Sequence, residues 1–376
     1  MAEGLRGPGT DAGAAPLRLV QVGAGGMGRA WLKNLAASPD VRLVGLVDLD
    51  VGAARRAADE EGFPGLPVAA SVDELTSCDE AEALVNVTVP VAHHTVTTAA
   101  LLGGLPVLSE KPLAESVSEG LSMVAASEVA GRLLMVSQSR RYWRNLAALR
   151  RQVAQLGQVG AVSCEFFKAP RFGGFREEMA HPLLVDMAIH QLDLARDLIG
   201  SEPVSVYCDS FNPAWSWFGG DAAANAVFVF EDGARFSFTG SWCAPGLETS
   251  WNGRWRVSAE GGTALWDGDG EPVAEAADGS ALPADVRDEP EQIAGSLAEF
   301  VSVVRGGGVP SGEVHANVLS LAMVEAATTS AAAGRRVTIA EVLETAYATA
   351  VADEKNEEVR ARLLSWPSVH EVVGRR

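Results

Sequence analysis

One stretch limits what this chain can fold into more than any other: Leu17 to Asp48. Leu19-Val20-Gln21-Val22 reads as a buried strand running directly into Gly23-Ala24-Gly25-Gly26-Met27-Gly28. Arg29 to Ala37 follows as a helix, and Arg42 to Val47 as a second apolar strand ending at Asp48. Strand, G-x-G-x-x-G, helix, strand and acid, in that order, describe a dinucleotide-binding unit. Gly23 permits the tight turn, Gly25 lets backbone approach a pyrophosphate, and Gly28 lets helix and strand pack closely. The helix amino terminus offers unpaired N–H groups and a positive dipole end to the phosphates. Asp48 lies 20 residues beyond Gly28. Its carboxylate would accept hydrogen bonds from an unphosphorylated ribose and repel a 2′-phosphate, so NAD is expected in preference to NADP. The plainer alternative for Asp48 is an acid that ends an apolar strand at the surface.

Composition narrows the function classes. At 376 residues the chain is too long for one small core and suggests two domains. The formal net charge of −19 repels nucleic acid and anionic membranes, so neither is expected as a partner. Cys78, Cys164, Cys208 and Cys243 are scattered with no C-x-x-C pair, which argues against a disulfide framework and a thiolate metal site. No metal is expected, and a reducing cytoplasm is the expected compartment. Residues 1–16 are rich in glycine and alanine without a basic region and apolar core, and read as a disordered leader. No run approaches the roughly 18 apolar residues needed to span a bilayer.

After Asp48 the alternation continues. Val51 to Glu61 is a helix candidate, Ala83 to Val87 a buried strand, His94 to Leu102 a helix and Leu105 to Leu108 a strand. Such alternation implies a parallel sheet whose ligands bind beyond the carboxyl ends of the strands. Thr88-Val89-Pro90 and Ser109-Glu110-Lys111-Pro112 fall there. Helices are expected over Ser116 to Val129 and Tyr142 to Leu156, around a short strand Leu133 to Ser137. Period-two alternation then marks strands at Ala161 to Lys168, Val204 to Ser210, Ala224 to Phe230, Arg235 to Trp242 and Trp255 to Ala259. Glu231-Asp232-Gly233 and Glu260-Gly261-Gly262 read as hairpin turns. Six of the nine tryptophans fall between Trp215 and Trp266, so this mostly antiparallel sheet has a broad aromatic face. Helices of the same chain or a second subunit would cover it. Further helices are expected over Glu289 to Arg305 and Val314 to Ala333.

The sharpest chemical signal is the helix expected from Pro182 to Ile199. Proline suits its first position and Gly200 its end. It is apolar on most sides, but Asp186, His190 and Asp193 recur at helical spacing, on one face. Burying such groups unpaired costs several kcal/mol, of the order typical for ionised groups. A cleft would supply partners; the plain alternative is an Asp–His pair capping a core. Lys111, placed by Pro112 at a strand end, favours the cleft: its ammonium would point toward the nicotinamide, where desolvation can lower a lysine's pKa toward neutrality. Otherwise it is an ordinary loop lysine.

Together, Gly23 to Gly28, Pro90 followed by His94, Glu110-Lys111-Pro112, and Asp186 with His190 resemble the Gfo/Idh/MocA oxidoreductases. The resemblance runs from about Leu17 to Val337. It implies an α/β protein: an N-terminal Rossmann domain (17–140) and a C-terminal α/β domain with a large, mostly antiparallel open sheet (141–340); beyond it, residues 341–376 read from their own sequence as a helical, polar and charged tail. It implies that Lys111, Asp186 and His190 are catalytic. Gly23, Ala24, Gly25, Gly26, Met27, Gly28, Asp48, Thr88, Pro90, His94, Glu110 and Lys111 would hold the cofactor, with Glu110 on the nicotinamide-ribose side. Arg140, Arg141 and Tyr142 fall where it places substrate-side residues.

Arg171, Phe172, Arg176 and His181 lie in the loop before the catalytic helix. Arginines there either fork onto substrate groups or balance an acidic surface. The expected reaction is NAD-dependent oxidation of a secondary hydroxyl of a sugar or cyclic polyol. His190 would be the base, Asp186 the group that orients it, and Lys111 a cation at the developing alkoxide; which of His190 and Lys111 takes the proton first stays open. The open sheet would join a homodimer or homotetramer. Two other classes share these residues: a hydrolase that oxidises its sugar transiently with bound NAD, and a non-catalytic NAD- and sugar-binding regulator.

Overall fold

A computed structural model describes residues 15–75 and 80–374. Most of the expected leader (1–14), Cys78 and the last two residues of the tail lie outside the described residues. In chain order the first elements are β1 (Leu17–Val22), α1 (Gly26–Ala37), β2 (Val41–Val47), α2 (Val51–Glu60), β3 (Val68–Ala69), β4 (Ala83–Asn86), α3 (Pro90–Leu102), β5 (Val107–Glu110), α4 (Val117–Ala130) and β6 (Leu134–Ser137). Next come α5 (Arg144–Gln155), β7 (Val159–Phe167), α6 (Phe175–Glu178), α7 (Ile189–Ile199), β8 (Pro203–Phe211), β9 (Ala223–Phe230), β10 (Arg235–Ser241), β11 (Arg254–Ala259), β12 (Gly262–Trp266), β13 (Val273–Ala276) and β14 (Ala281–Leu282). The chain finishes with α8 (Gln292–Gly306), α9 (Val314–Ala333), β15 (Val337–Thr338), α10 (Ile339–Asp353), α11 (Glu357–Leu364) and α12 (Val369–Val372).

Packing divides the chain into two compact units. The first comprises residues through Lys111, Ala126–Ser137 and Ile293–Glu313; the second holds Pro112–Ala125, Gln138–Gln292 and Val314 onward. The first is built on a parallel sheet ordered β3-β2-β1-β4-β5-β6, the doubly wound order in which the chain reverses direction across the sheet between β1 and β4. Its strands are buried on both faces, as their near-continuous apolar runs require. Segment 293–313 is tied to this unit: Val136 N donates to Gly312 O at 2.8 Å, and Arg305 donates to Ala15 O at 2.6 Å.

Three boundaries differ from the sequence reading. Helix α1 begins at Gly26, so Met27 and Gly28 are already helical. Helix α3 starts at Pro90, whose fixed φ suits that position, so His94 lies inside the first turns and does not open the helix. Strand β5 runs to Glu110, which leaves Lys111 as the first residue past the sheet.

The second unit carries a nine-stranded sheet ordered β14-β13-β12-β11-β7-β10-β9-β8-β15, antiparallel except where β10 pairs with β7. Strands β12 to β14 extend it beyond the strands that alternation reveals. Phe228, Phe236 and Trp255 stack along its inner face, with centroids 6.1 and 5.9 Å apart. Helices α5, α7 and α9 pack against the sheet, so helices of the same chain cover the aromatic face. Alternate residues on the outer face, among them Val204, Tyr207, Val227 and Leu265, are exposed. The tail also packs into this unit. Thr338 and Glu341 form a capping box at the start of α10, Leu343, Ala346, Val359 and Leu363 are buried, and Tyr347 stacks on Trp366. No helix of the described residues is long and apolar enough to cross a membrane.

Candidate active site

In the first unit the glycine loop is fixed from beneath. Buried Gln21 donates from Nε2 to Gly23 O at 2.7 Å and to Gly28 O at 3.0 Å. Gly23 adopts φ +102°, and a Cβ there would sit 2.4 Å from Val87 O, so neither the conformation nor the space admits another residue. A Cβ at Gly28 would meet Gly23 O at 2.4 Å. At Gly25 and Gly26, by contrast, nothing lies within 4 Å of a Cβ. That open approach, at the amino terminus of α1, leaves room for a phosphate against backbone N–H groups.

Asp48 fastens the loop to the end of β2: Oδ2 accepts from Ala24 N at 2.7 Å and Oδ1 from Asp50 N at 2.9 Å. Its charge is thereby held at the carboxyl edge of the sheet. Around that edge Met27, Leu49, Val89 and Val91 are exposed, Leu49 at 93%. Apolar side chains so placed at strand ends fit the flat, largely apolar rings of a dinucleotide. Thr88 donates both its N–H and its hydroxyl to Asn86 Oδ1, and His93 Nε2 lies 3.1 Å from Thr88 O. The histidine that supports this loop is therefore His93; His94 is the next residue along and half-buried.

Glu110, expected on the nicotinamide-ribose side, is buried and both of its carboxylate oxygens are engaged within the first unit. Oε1 accepts from Trp31 Nε1 at 2.9 Å and Oε2 from Lys111 N at 2.9 Å. Burial pushes its pKa up, against the pull of Trp31 and Lys111. One side chain thus joins α1, which carries the glycine loop, to the backbone of Lys111. Trp31 had no signal in the sequence beyond being an apolar helical residue.

The second unit places Asp186 and His190 on successive but different structures. Leu183–Ala188 is a π-helical turn, which leads into α7 at Ile189. A π turn shifts side chains relative to an α-helix, so Asp186, His190 and Asp193 do not share one α-helical face as expected. Asp186 accepts from Arg176 Nε at 2.7 Å. His190 is 8% exposed.

Asp193 points into the interior. It takes a two-pronged bond from Arg141, both contacts 2.7 Å, and one from Ser320 at 2.6 Å. Buried Arg196 joins this group through Ser320 and pairs with Glu202. Burial opposes ionisation of Asp193, but the charge and hydrogen bonds of Arg141 outweigh it and hold the carboxyl below its usual range. Arg141 is therefore a structural partner of α7 and leaves the expected substrate-side set.

Arg140 donates to Trp251 O and Asn252 Oδ1, both at 2.5 Å, and burial pulls its pKa down to about 10, so it stays charged at neutral pH. Tyr142 closes the short 3-10 turn Ser139–Tyr142 and is half-buried. Arg171 lies over the ring of Trp217 at 4.0 Å. His181 Nδ1 lies 3.3 Å from Ser210 Oγ and 3.7 Å from Asp221. Among the described residues no group of three or more His, Cys, Asp or Glu is arranged to hold a metal.

A doubly wound nucleotide unit with a glycine loop, joined in sequence to a unit built on an open mixed sheet, defines a dinucleotide-binding class of protein. Comparison with known proteins narrows it. Residues 17–138 match the oxidoreductase family with an NAD-binding Rossmann fold, GFO/IDH/MocA, and residues 127–265 match the C-terminal domain of that family. The chain belongs to the Gfo/Idh/MocA family of NAD-binding oxidoreductases.

An uncharacterised protein, y4oX, of Sinorhizobium fredii is 31% identical over 262 residues, covering 66% of this chain and 72% of that protein. An inositol 2-dehydrogenase of an Arthrobacter species is 30% identical over 194 residues, 50% of this chain and 56% of that enzyme. The crystal structure of an oxidoreductase from Agrobacterium radiobacter, in complex with NAD+, L-tartaric acid and magnesium, shares the fold. Its TM-score is 0.78 at 19% identity, covering 87% of this chain and 99% of that one.

Proposed function

We propose that this chain oxidises a secondary hydroxyl of a sugar or cyclic polyol, with NAD as the preferred hydride acceptor. One observation carries the reading: Glu110 fixes the backbone of Lys111 directly past β5, at the strand edge that also bears the glycine loop and Asp48. NAD, when bound, supplies the site that accepts the hydride. His190 takes the hydroxyl proton, the carbinol C–H bond breaks with its electron pair leaving as hydride, and the carbon is left as a carbonyl. The ammonium of Lys111 stabilises the alkoxide as it develops. Asp186, itself held by Arg176, is the group that orients the imidazole in this reading. The preference for NAD over NADP rests on the anchored carboxylate of Asp48, which a 2′-phosphate would have to approach.

The name of the inositol 2-dehydrogenase relative supports a polyol substrate, as does that of a 1,5-anhydro-D-fructose reductase from Ensifer adhaerens, 27% identical over 339 residues. We place the reaction in the cytoplasm, where the buried thiols Cys164, Cys208 and Cys243 would stay reduced. A second copy of the chain is the proposed cover for the outer sheet face around Tyr207 and Val227.

NADH formation across a panel of inositols and pyranoses tests the reading. Lys111→Ala and His190→Ala are expected to keep NAD affinity by calorimetry while turnover falls about 100- to 10,000-fold. Near-normal rates in either variant would remove that residue. Substrate cleavage without NADH release would replace net oxidation by the transient-oxidation hydrolase.

A further inference from the structure

Within the second unit, the loop that leads to Asp186 runs beside a connected line of rings. Trp251 lies 6.1 Å from Phe166 and 6.4 Å from Phe172, and Phe172 lies 5.3 Å from Trp242. Phe218 stacks on Trp242 at 5.9 Å, and Trp217 lies 5.5 Å from Phe218. Three cations rest on this line: Lys168 over Trp251, Arg176 over Phe172 and Arg171 over Trp217. Two of the three are neutralised, Lys168 by Glu248 at 2.9 Å and Arg176 by Asp186 at 2.7 Å. Arg171 has no ion-pair partner among the described residues, in a chain with 49 acidic residues against 30 basic ones.

Stacking on Trp217 occupies one face of the guanidinium and leaves its edge free. That edge carries N–H donors in a rigid fork, matched to two oxygens of one oxyanion. The indole N–H groups of Trp217 and Trp242, on the same line of rings, are buried with no acceptor among the described residues. Its rings are also open, Phe172 being 46% and Trp251 42% exposed. Arg171 directly precedes Phe172, whose ring carries Arg176, the partner of Asp186. Arg171 therefore lies on the same line of rings as Arg176, the partner of Asp186.

We infer that Arg171, laid on Trp217, is a subsite for an oxyanion substituent of the substrate, so that the sugar or polyol enters as a phosphorylated or carboxylated derivative. This rests on the oxidoreductase reading above and adds the charge of the substrate to it. The open faces of Phe172 and Trp251 then lie against the C–H surface of the sugar ring.

Calorimetry with the full chain and NAD tests it, using myo-inositol 1-phosphate, UDP-glucose and glucuronate as anionic probes beside neutral inositol and glucose. At least one anionic probe is expected to bind more tightly than its neutral parent, and the tightest of the three names the source of the oxyanion. Arg171→Gln is expected to lower that preference by roughly 10- to 150-fold, the range of one charge-assisted hydrogen bond. Arg171→Lys, which keeps the charge but not the fork, is expected to recover only part of it. Raising the salt concentration on the unaltered protein should weaken the anionic probe and spare the neutral one. Equal binding of anionic and neutral probes, or a preference that survives Arg171→Gln, would overturn the subsite. NADH formed from neutral polyols alone would overturn it too, and would leave the oxidoreductase reading standing. Anion binding that depends on Arg171, with no NADH from any probe, would do the reverse.

Discussion

Asp193→Asn isolates the interaction that fixes α7. The native carboxylate meets Arg141 with two 2.7 Å contacts and Ser320 with a third at 2.6 Å, all buried. An amide of the same shape keeps one acceptor but turns its N–H group toward the guanidinium, leaving Arg141 in the interior without a counter-charge. Breaking one partner of a buried ion pair costs about 3–5 kcal/mol. In a unit of about 230 residues, each kcal/mol lowers the melting temperature by about 2–4 °C, so the expected drop is about 6–20 °C. Scanning calorimetry at neutral pH measures it.

The pH dependence gives a second reading of the same pair. Asp193 is held below its ordinary pKa in the folded chain. Its contribution is therefore fully present above the unfolded value of about 3.9, and is lost as pH falls through the depressed folded value. The gap between wild type and variant should stay constant from pH 8 to 5 and close only below about 4. A variant that melts within a degree of wild type, or a gap that closes near neutrality, would refute the assignment of stability to this pair.

Gly23→Ala places a Cβ against Val87 O and forces φ +102° on an alanine, so NAD affinity measured by calorimetry is expected to fall at least about tenfold, while Gly25→Ala, where the space is open, should keep the loop folded. Asp48→Ser combined with Leu49→Arg should raise the ratio of NADP to NAD affinity at least about tenfold, and an unchanged ratio would remove Asp48 from ribose selection. Trp31→Phe takes the hydrogen bond from Glu110 and should lower stability by about 1–3 kcal/mol in denaturant titration. Because burial raises the Glu110 pKa, the stability it contributes is greatest below about 4.3 and declines as pH rises through the folded value. Glu110→Gln should therefore gain on wild type with increasing pH in that range.

What could be read from the sequence was what local chemistry determines. The glycine turn, the alternation of strands and helices around it, and the hairpins at Glu231-Asp232-Gly233 and Glu260-Gly261-Gly262 are short-range signals, and the structure contains all of them. Strands β13 and β14 are two to four residues long and separated by acidic and glycine residues, too short for alternation to show. The partner of Asp193 lies 52 residues away on a different element, and no spacing rule connects them. Asp193 therefore looked like a third member of the Asp186 and His190 line. Trp31 and Glu110 are likewise 79 residues apart. The π turn depends on how Leu183–Ala188 packs, since its composition would serve an ordinary helix equally well.

Segment 293–313 has a bearing on biosynthesis. It closes over Val136 and Asp40 in the nucleotide-binding unit, yet a ribosome makes it only after most of the other unit has emerged. The nascent amino-terminal third must wait, with apolar surface uncovered, while β7 to β14 are translated. Chaperone dependence should accordingly fall most steeply once the chain passes residue 313, and a fragment cut at 137 should be insoluble even though its glycine loop is whole.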